Sequence, residues 1–300
     1  MQKSITNQNQ ENIKGIIFMV SAVLILPFSD SIAKWLSSSY TTIQIAWLRF
    51  LIQAIILIIL SFSLKYKITG FHKKFILVSI YISSSIVFLF WGLKYLPLAN
   101  NIALFFIEPL VLTLLSVLIL KEKLQKNHII AVIIGLIGTL IIIRPNWSAY
   151  GMASIFPIVS AIFYALYLIT LRQVSTKTNS KSLQFYIGVI STILLSVIIV
   201  VCELLNIDSF GFKQIDFNDW WLILLLGVIT TIVQLLVSKA FFYSKASSLA
   251  SFQYLEIISA SILGWLIFKH IPDMLTIIGA IIVISSGLYL ISHERKNSKT

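Results

Sequence analysis

The sequence predicts an all-α integral membrane protein whose ten transmembrane helices form two inverted five-helix repeats, with both termini cytoplasmic. Three observations predict it. Of its 300 residues 58% are hydrophobic and 11% charged, against roughly 25% charged in a soluble domain. The apolar residues fall in ten runs near the length that crosses a bilayer. Shifting the chain by 148 positions lays Tyr95 on Tyr243, Glu108 on Glu256, Ile119 on Ile267 and Lys121 on Lys269.

The ten spans are expected at about 13–34, 42–64, 75–95, 98–120, 128–144, 150–171, 183–205, 219–242, 247–268 and 272–292. Residues 1–12 are polar, and the first apolar run lacks a small-residue cleavage pattern, so it reads as a retained helix rather than a signal peptide. The connections are too short for a separate soluble domain; the longest, 205–219, carries Asp208, Asp216 and Asp219 with Lys213. With the N-terminus inside, seventeen Lys and Arg lie on the cytoplasmic side and five outside (Lys34, Lys94, Arg144, Lys213 and Lys269), with Arg49 within a span. That asymmetry obeys the positive-inside rule and depends on an even number of spans. It also accounts for the net charge of +12 without nucleic acid as a partner. Val20-Ser21-Ala22 resembles Val159-Ser160-Ala161, so the first span corresponds to the sixth. A five-span unit used twice enters the membrane from opposite sides. The halves divide as 1–146 and 147–300.

Several chemistries are argued against. The one cysteine, Cys202, cannot form an intrachain disulfide. His72, His128, His270 and His293 sit in connections or at helix ends, which speaks against a metal centre. No HExxH, GxSxG or P-loop spacing occurs, so neither an intramembrane hydrolase nor direct use of ATP is indicated, and no cofactor is expected.

The candidate site begins at Glu108-Pro109, near the midpoint of the fourth span. An acid at that depth costs on the order of 2.5–3.5 kcal/mol on insertion scales and faces a cavity or a partner rather than lipid. Glu256 is its repeat mate. Either could bind a substrate amine or exchange a proton; the alternative is a protonated glutamate that only packs. Asp30 and Lys34 are four apart and share a helix face. At about 1.5 Å per residue, Asp30 and Arg49 fall at similar depths. They read as a fixed ion pair or as an outer gate, with Lys34 able to snorkel to the interface. Polar and aromatic residues inside spans extend the candidate pocket: Trp91, Tyr95, Asn100, Asn101, Tyr164, Tyr167, Gln234, Gln253 and Tyr254. The aromatic members could equally belong to an interfacial belt, as Trp147, Trp220 and Trp221 do. Pro27, Pro109 and Pro157 interrupt the first, fourth and sixth spans and are candidate hinges, or mark bends alone.

Trp47-Leu48-Arg49-Phe50, Tyr95-Leu96-Pro97-Leu98-Ala99, Glu108-Pro109-Leu110 and Leu120-Lys121-Glu122-Lys123-Leu124, with Gly135 and Gly138, together resemble the EamA family of the drug/metabolite transporter superfamily. The resemblance covers almost the whole chain. It implies alternating access and a central cavity lined by the first, third, fourth, sixth, eighth and ninth spans. Departures are Lys269-His270 where the first half has Lys121-Glu122, and the lack of a proline after Glu256. The expected function is secondary transport of a small organic metabolite across the cytoplasmic (inner) membrane, an amino acid or a relative foremost. The lipid bilayer and a proton or counter-solute are its other partners, and the oligomeric state is left open. Nucleotide-like or sugar-like solutes are the alternative substrates. A channel or a receptor is the alternative of another class.

Overall fold

The computed structural model describes residues 2–63, 68, 70–96, 98–122, 126–143, 151–176, 178–205, 211–256, 259, 262–263 and 274–297. Its helices are α1 (Gln2–Leu36), α2 (Thr42–Ser63), α3 (Lys74–Tyr95), α4 (Leu98–Phe105), α5 (Glu108–Leu118) and α6 (Lys126–Ile143). The second half contributes α7 (Ile155–Ser175), α8 (Ser180–Leu204), α9 (Trp220–Tyr243), α10 (Ala246–Ala250) and α11 (Met274–Asn297). Six stretches among the described residues are long and apolar enough to cross a membrane: Glu11–Leu36, Thr42–Ser63, Lys74–Tyr95, Met152–Ser175, Ser180–Leu204 and Phe217–Tyr243. Their outer faces stay apolar, as Ile193, Val197, Val200 and Leu204 on α8 illustrate. An α-helix suits lipid because it satisfies its own backbone polar groups.

The predicted fourth span is not one helix. It breaks at Phe106–Ile107 into α4 and α5. Pro109 therefore opens α5 instead of interrupting it, and in a first turn its missing N–H removes no intrahelical bond. Pro157 likewise falls in the first turn of α7, after a 3₁₀ turn at Gly151–Ser154. Of the three, Pro27 alone lies in a helix interior, beyond the first turn. The carbonyl it leaves without a helical donor is that of Val23, four residues back. Ser259 Oγ donates to that oxygen at 3.4 Å. The ninth span is also broken, as α10, a bend at Ser251–Phe252 and a 3₁₀ turn at Gln253–Leu255. Residues 264–273 of the prediction lie outside the described residues.

Helix packing exchanges under a swap of the two halves. α1 packs on α9 and α3 on α7, and these pairs trade places when the halves are swapped. α2 packs on α8 and α6 on α11, and these pairs map onto themselves. Small residues make the contacts close, as lipid-embedded helices require. Ser85 and Ser160 each donate a hydroxyl to the other's carbonyl, at 3.0 and 2.8 Å, across α3–α7. A Cβ on Gly138 would sit 3.0 Å from the Gly279 carbonyl across α6–α11. Trp47 Nε1 donates to Ser196 Oγ at 2.7 Å across α2–α8.

At one end, the segment before α9 clasps the turn between α1 and α2. Tyr40 donates its phenol to Asp219 at 2.6 Å and accepts from the Asp216 N–H at 3.0 Å. Burial, together with the bond to Asp219, pushes the Tyr40 phenol above its ordinary range. Gln44 exchanges two hydrogen bonds with the Lys213 backbone, at 2.7 and 3.0 Å.

The α2–α8 contact has no room to spare, since a Cβ on Gly188 would stand 3.1 Å from the Ala54 nitrogen. Gly188→Val should lower stability by about 1–3 kcal/mol through overpacking. Thermal unfolding in detergent checks this, and a variant as stable as the parent refutes the packing described.

Candidate functional site

The two helix breaks deliver their acids to one buried place. Glu108 begins α5 and Glu256 follows the 3₁₀ turn, and the two are 1% and 5% exposed. They interact electrostatically with each other, and Glu256 interacts with Asp30 as well. Asp30, from α1, faces the guanidinium of Arg49, from α2, which is 3% exposed. Three carboxyls and one guanidinium thus share an interior where an isolated charge is costly. Arg49 Nε has no hydrogen-bond partner, and Asp30 and Arg49 act on each other through their charges rather than through a hydrogen-bonded bridge.

Neutral groups complete the centre. Gln253 Nε2 donates to Glu108 Oε1 at 3.4 Å, tying the ninth span to the fourth. Tyr164 lies in the field of both glutamates and of Arg49. It packs edge-on to Phe105, with centroids 5.5 Å apart, and against Tyr167 at 5.4 Å. Tyr254 sits 5.8 Å from Phe106, wholly buried, and its hydroxyl has no hydrogen-bond partner. Gly135 of α6 leaves the space its ring occupies.

A chain of amides and hydroxyls leads away from this centre. Tyr167 donates to Gln234 Oε1 at 2.6 Å. Gln184 Nε2 donates to Ser238 Oγ at 2.6 Å and lies 3.5 Å from the Tyr167 oxygen. Gln53 Nε2 donates to the Gln184 side chain at 3.1 Å and to its carbonyl at 2.8 Å. Gln53, Gln184 and Ser238 escaped the sequence reading. The signal for Gln53 is the one that singled out Gln234, an amide deep in an apolar span. Gln184 falls beside the predicted start of its span, where an amide attracts no notice.

Other predicted site residues lie elsewhere. Trp91 stacks on Phe156 at 5.0 Å, and Tyr95, 54% exposed, stacks on the same ring at 6.1 Å. With Phe88 and Phe163 they form a partly exposed row of rings between α3 and α7, not the wall of the charged centre. Asn101 is buried against α3, where its Nδ2 donates to the Leu89 carbonyl at 3.1 Å and its Oδ1 has no hydrogen-bond partner. The side chain of Asn100 lies outside the described residues. Lys34 turns to a neighbouring helix. It donates to the Leu93 carbonyl and, at 3.3 Å, to that of Leu96, pinning α1 to the end of α3. Among the described residues no group of His, Cys, Asp and Glu is placed to hold a metal ion.

A buried polar centre where two broken spans meet, inside a two-repeat helical membrane protein, defines a class of solute-handling membrane proteins. Comparison with known proteins identifies which. The model of the EamA-like transporter family matches residues 13–144 and 151–292, and the chain belongs to that family. It is thus a multi-pass membrane transporter of metabolites, not an enzyme. It is similar to the S-adenosylmethionine uptake transporter of Rickettsia prowazekii, 23% identical over 95% of each chain. The riboflavin transporter of Vibrio cholerae is 25% identical over 96% of each. The pseudopaline exporter CntI of Pseudomonas aeruginosa is 26% identical over 67% of this chain and 68% of its own. A crystal structure only 14% identical superposes with a TM-score of 0.77 over 96% of this chain and 98% of that one, a likeness of fold.

The Tyr167–Gln234 bond carries its own prediction. Tyr167→Phe should cost about 1–3 kcal/mol, because it strands a buried acceptor. Adding Gln234→Leu should recover part of that loss, as removing both partners leaves nothing unsatisfied. A double-mutant cycle by thermal unfolding measures the coupling, and strictly additive losses contradict the bond.

Proposed function

We propose that this protein is a secondary carrier working by alternating access, with its substrate site at the Glu108–Glu256 centre. The observation that carries the reading is that equivalent acids, from equivalent breaks in the two repeats, are buried together beside Asp30 and Arg49. Broken spans meeting near the middle of a bilayer are a recurrent way to build transporter sites. The halves, 1–146 and 147–300, are taken as inverted with respect to the membrane, because each contributes five spans. Both termini then face the cytoplasm across the cytoplasmic membrane, as the lysine and arginine count favours.

The substrate proposed is an amino acid or a related compound. A carboxylate could meet Arg49 and an amine could meet Glu108 or Glu256, so one small zwitterion answers both signs of charge in the centre. Asp30 beside Arg49 would act as the gate, and Pro27 and the two breaks as hinges. A proton or a counter-solute would couple transport, through gain and loss of charge at the glutamates. Tyr164, Tyr167, Tyr254, Phe105 and Phe106 favour, as a second reading, a ring-bearing solute such as a nucleotide-like compound. Two similar proteins are named for S-adenosylmethionine and riboflavin.

Glu108→Gln is the direct test. It keeps the shape and an acceptor for Gln253 but cannot ionise. Transport in proteoliposomes should be abolished or uncoupled, with expression and helix content unchanged. A variant that transports at the parental rate with unchanged coupling removes Glu108 from the mechanism. Saturable uptake with counterflow distinguishes the carrier from a pore.

A further inference from the structure

The end of the fourth span holds a second device, apart from the buried centre. Lys121 has φ 55, the left-handed region that a side chain rarely enters. Such a residue persists where its surroundings hold it. Here the Lys121 N–H donates to the Val117 carbonyl and the Glu122 N–H to that of Ser116, both at 3.1 Å. The turn aims the Glu122 carboxylate at the chain entering the ninth span. Glu122 accepts from the Ala246 N–H at 3.3 Å, the Ser247 N–H at 3.1 Å and the Ser247 hydroxyl at 2.8 Å. All three donors belong to the opposite half of the molecule.

The charge of Glu122 is answered by that of Arg172, at the end of α7. Arg172 in turn donates to the Phe241 carbonyl and, at 3.1 Å, to that of Phe242, in the last turn of α9. Ser175 also donates to the Phe241 carbonyl, at 3.1 Å. Ser244 donates to the Asn12 carbonyl of α1 at 2.9 Å. The ends of α5, α7 and α9, with the Asn12 turn of α1, therefore meet at the start of α10, and Glu122 is the acceptor that joins half to half. Ala246 and Ser247 are buried, while Glu122 is only half-buried. Water can thus take over its bonds when the halves part, so the link can break and reform. Four residues beyond Ser247, at the bend of the ninth span, Ser251 is 1% exposed and its hydroxyl has no hydrogen-bond partner. The same segment continues to Gln253 and Glu256 of the charged centre.

We infer that Glu122 is a positioning residue for solute movement: its three bonds latch the entry of the ninth span to the end of the fourth and close the route from that end of the molecule to the charged centre. This rests on the carrier reading above, in that it needs a route to that centre.

The test uses the full chain with Cys202→Ser, which removes its one cysteine, and Ser251→Cys as reporter behind the latch. A membrane-impermeant thiol reagent is applied to either face of sealed, uniformly oriented vesicles. Glu122→Gln should raise the labelling rate from the face bearing the latch about tenfold, the factor that about 1.4 kcal/mol corresponds to. Ser247→Ala, which removes one bond of three, should raise it by a smaller factor, about threefold on the same scale. If Glu122→Gln fails to fold, Ser247→Ala decides alone. An unchanged rate from that face, or an equal rise from both faces, overturns the latch. The labelling needs no solute, so a rise without any transport would sink the carrier reading alone. An unchanged rate in a protein that transports would sink the latch alone.

Discussion

A carboxyl group can lie within the thickness of a membrane only if protein, water or solute stands around it. Glu108 and Glu256 impose that condition twice, and much of the fold is what meeting it takes. Each acid sits where its span breaks, and a helix break frees backbone groups that lipid cannot satisfy. The breaks must therefore be enclosed. α7, α6 and α1 enclose them, with Tyr164, the space left by Gly135 for Tyr254, and the Asp30 carboxyl respectively. Arg49 supplies positive charge to the cluster, from a helix whose outer face is apolar.

The exchange of helix pairs between halves explains how one enclosure serves both acids. α1 and α7 are repeat mates, and each packs on the third span of the opposite half. The centre is consequently built across the interface rather than within either repeat. The self-paired helices play the other part. α2 and α8 are locked by Trp47–Ser196 and by the Gln53–Gln184 amides. Neither helix belongs to the cavity that the family resemblance implies, yet their amides run through Tyr167 toward Tyr164 and Arg49. The scaffold pair thus sets the position of a tyrosine at the centre.

The spans were legible because the length of an apolar run is a strong signal, and six of the ten expected runs form helices long and apolar enough to cross a membrane among the described residues. The sequence did not reveal where the fourth span breaks. Proline is written with the same letter in the first turn of a helix, where it is harmless, and in the interior, where it is disruptive; Pro109 and Pro27 are one of each. The acids were legible from cost alone. Helical spacing puts Trp91 and Tyr95 on one face of α3, but spacing cannot say which neighbour that face meets, and it meets Phe156. The partners of Lys34 were hidden for a related reason: they are carbonyls at the end of another helix, which no sequence pattern exposes.

One contact joins these levels. Pro27 deprives the Val23 carbonyl of its helical donor, and the hydroxyl that replaces it comes from Ser259, in the other repeat. Ser259 follows Glu256 by three residues and also donates to the Glu256 carbonyl at 3.0 Å. Asp30, which shares the field of Glu256, lies less than one turn beyond Pro27. The interior proline of α1 is thus completed by the segment that carries the second acid, and the acid on α1 stands beside both. Displacing the ninth span would leave Val23 unsatisfied and would move Glu256 away from Asp30 in the same step. A hydroxyl across a proline gap, weak by itself, therefore ties the shape of α1 to the electrostatics of the centre.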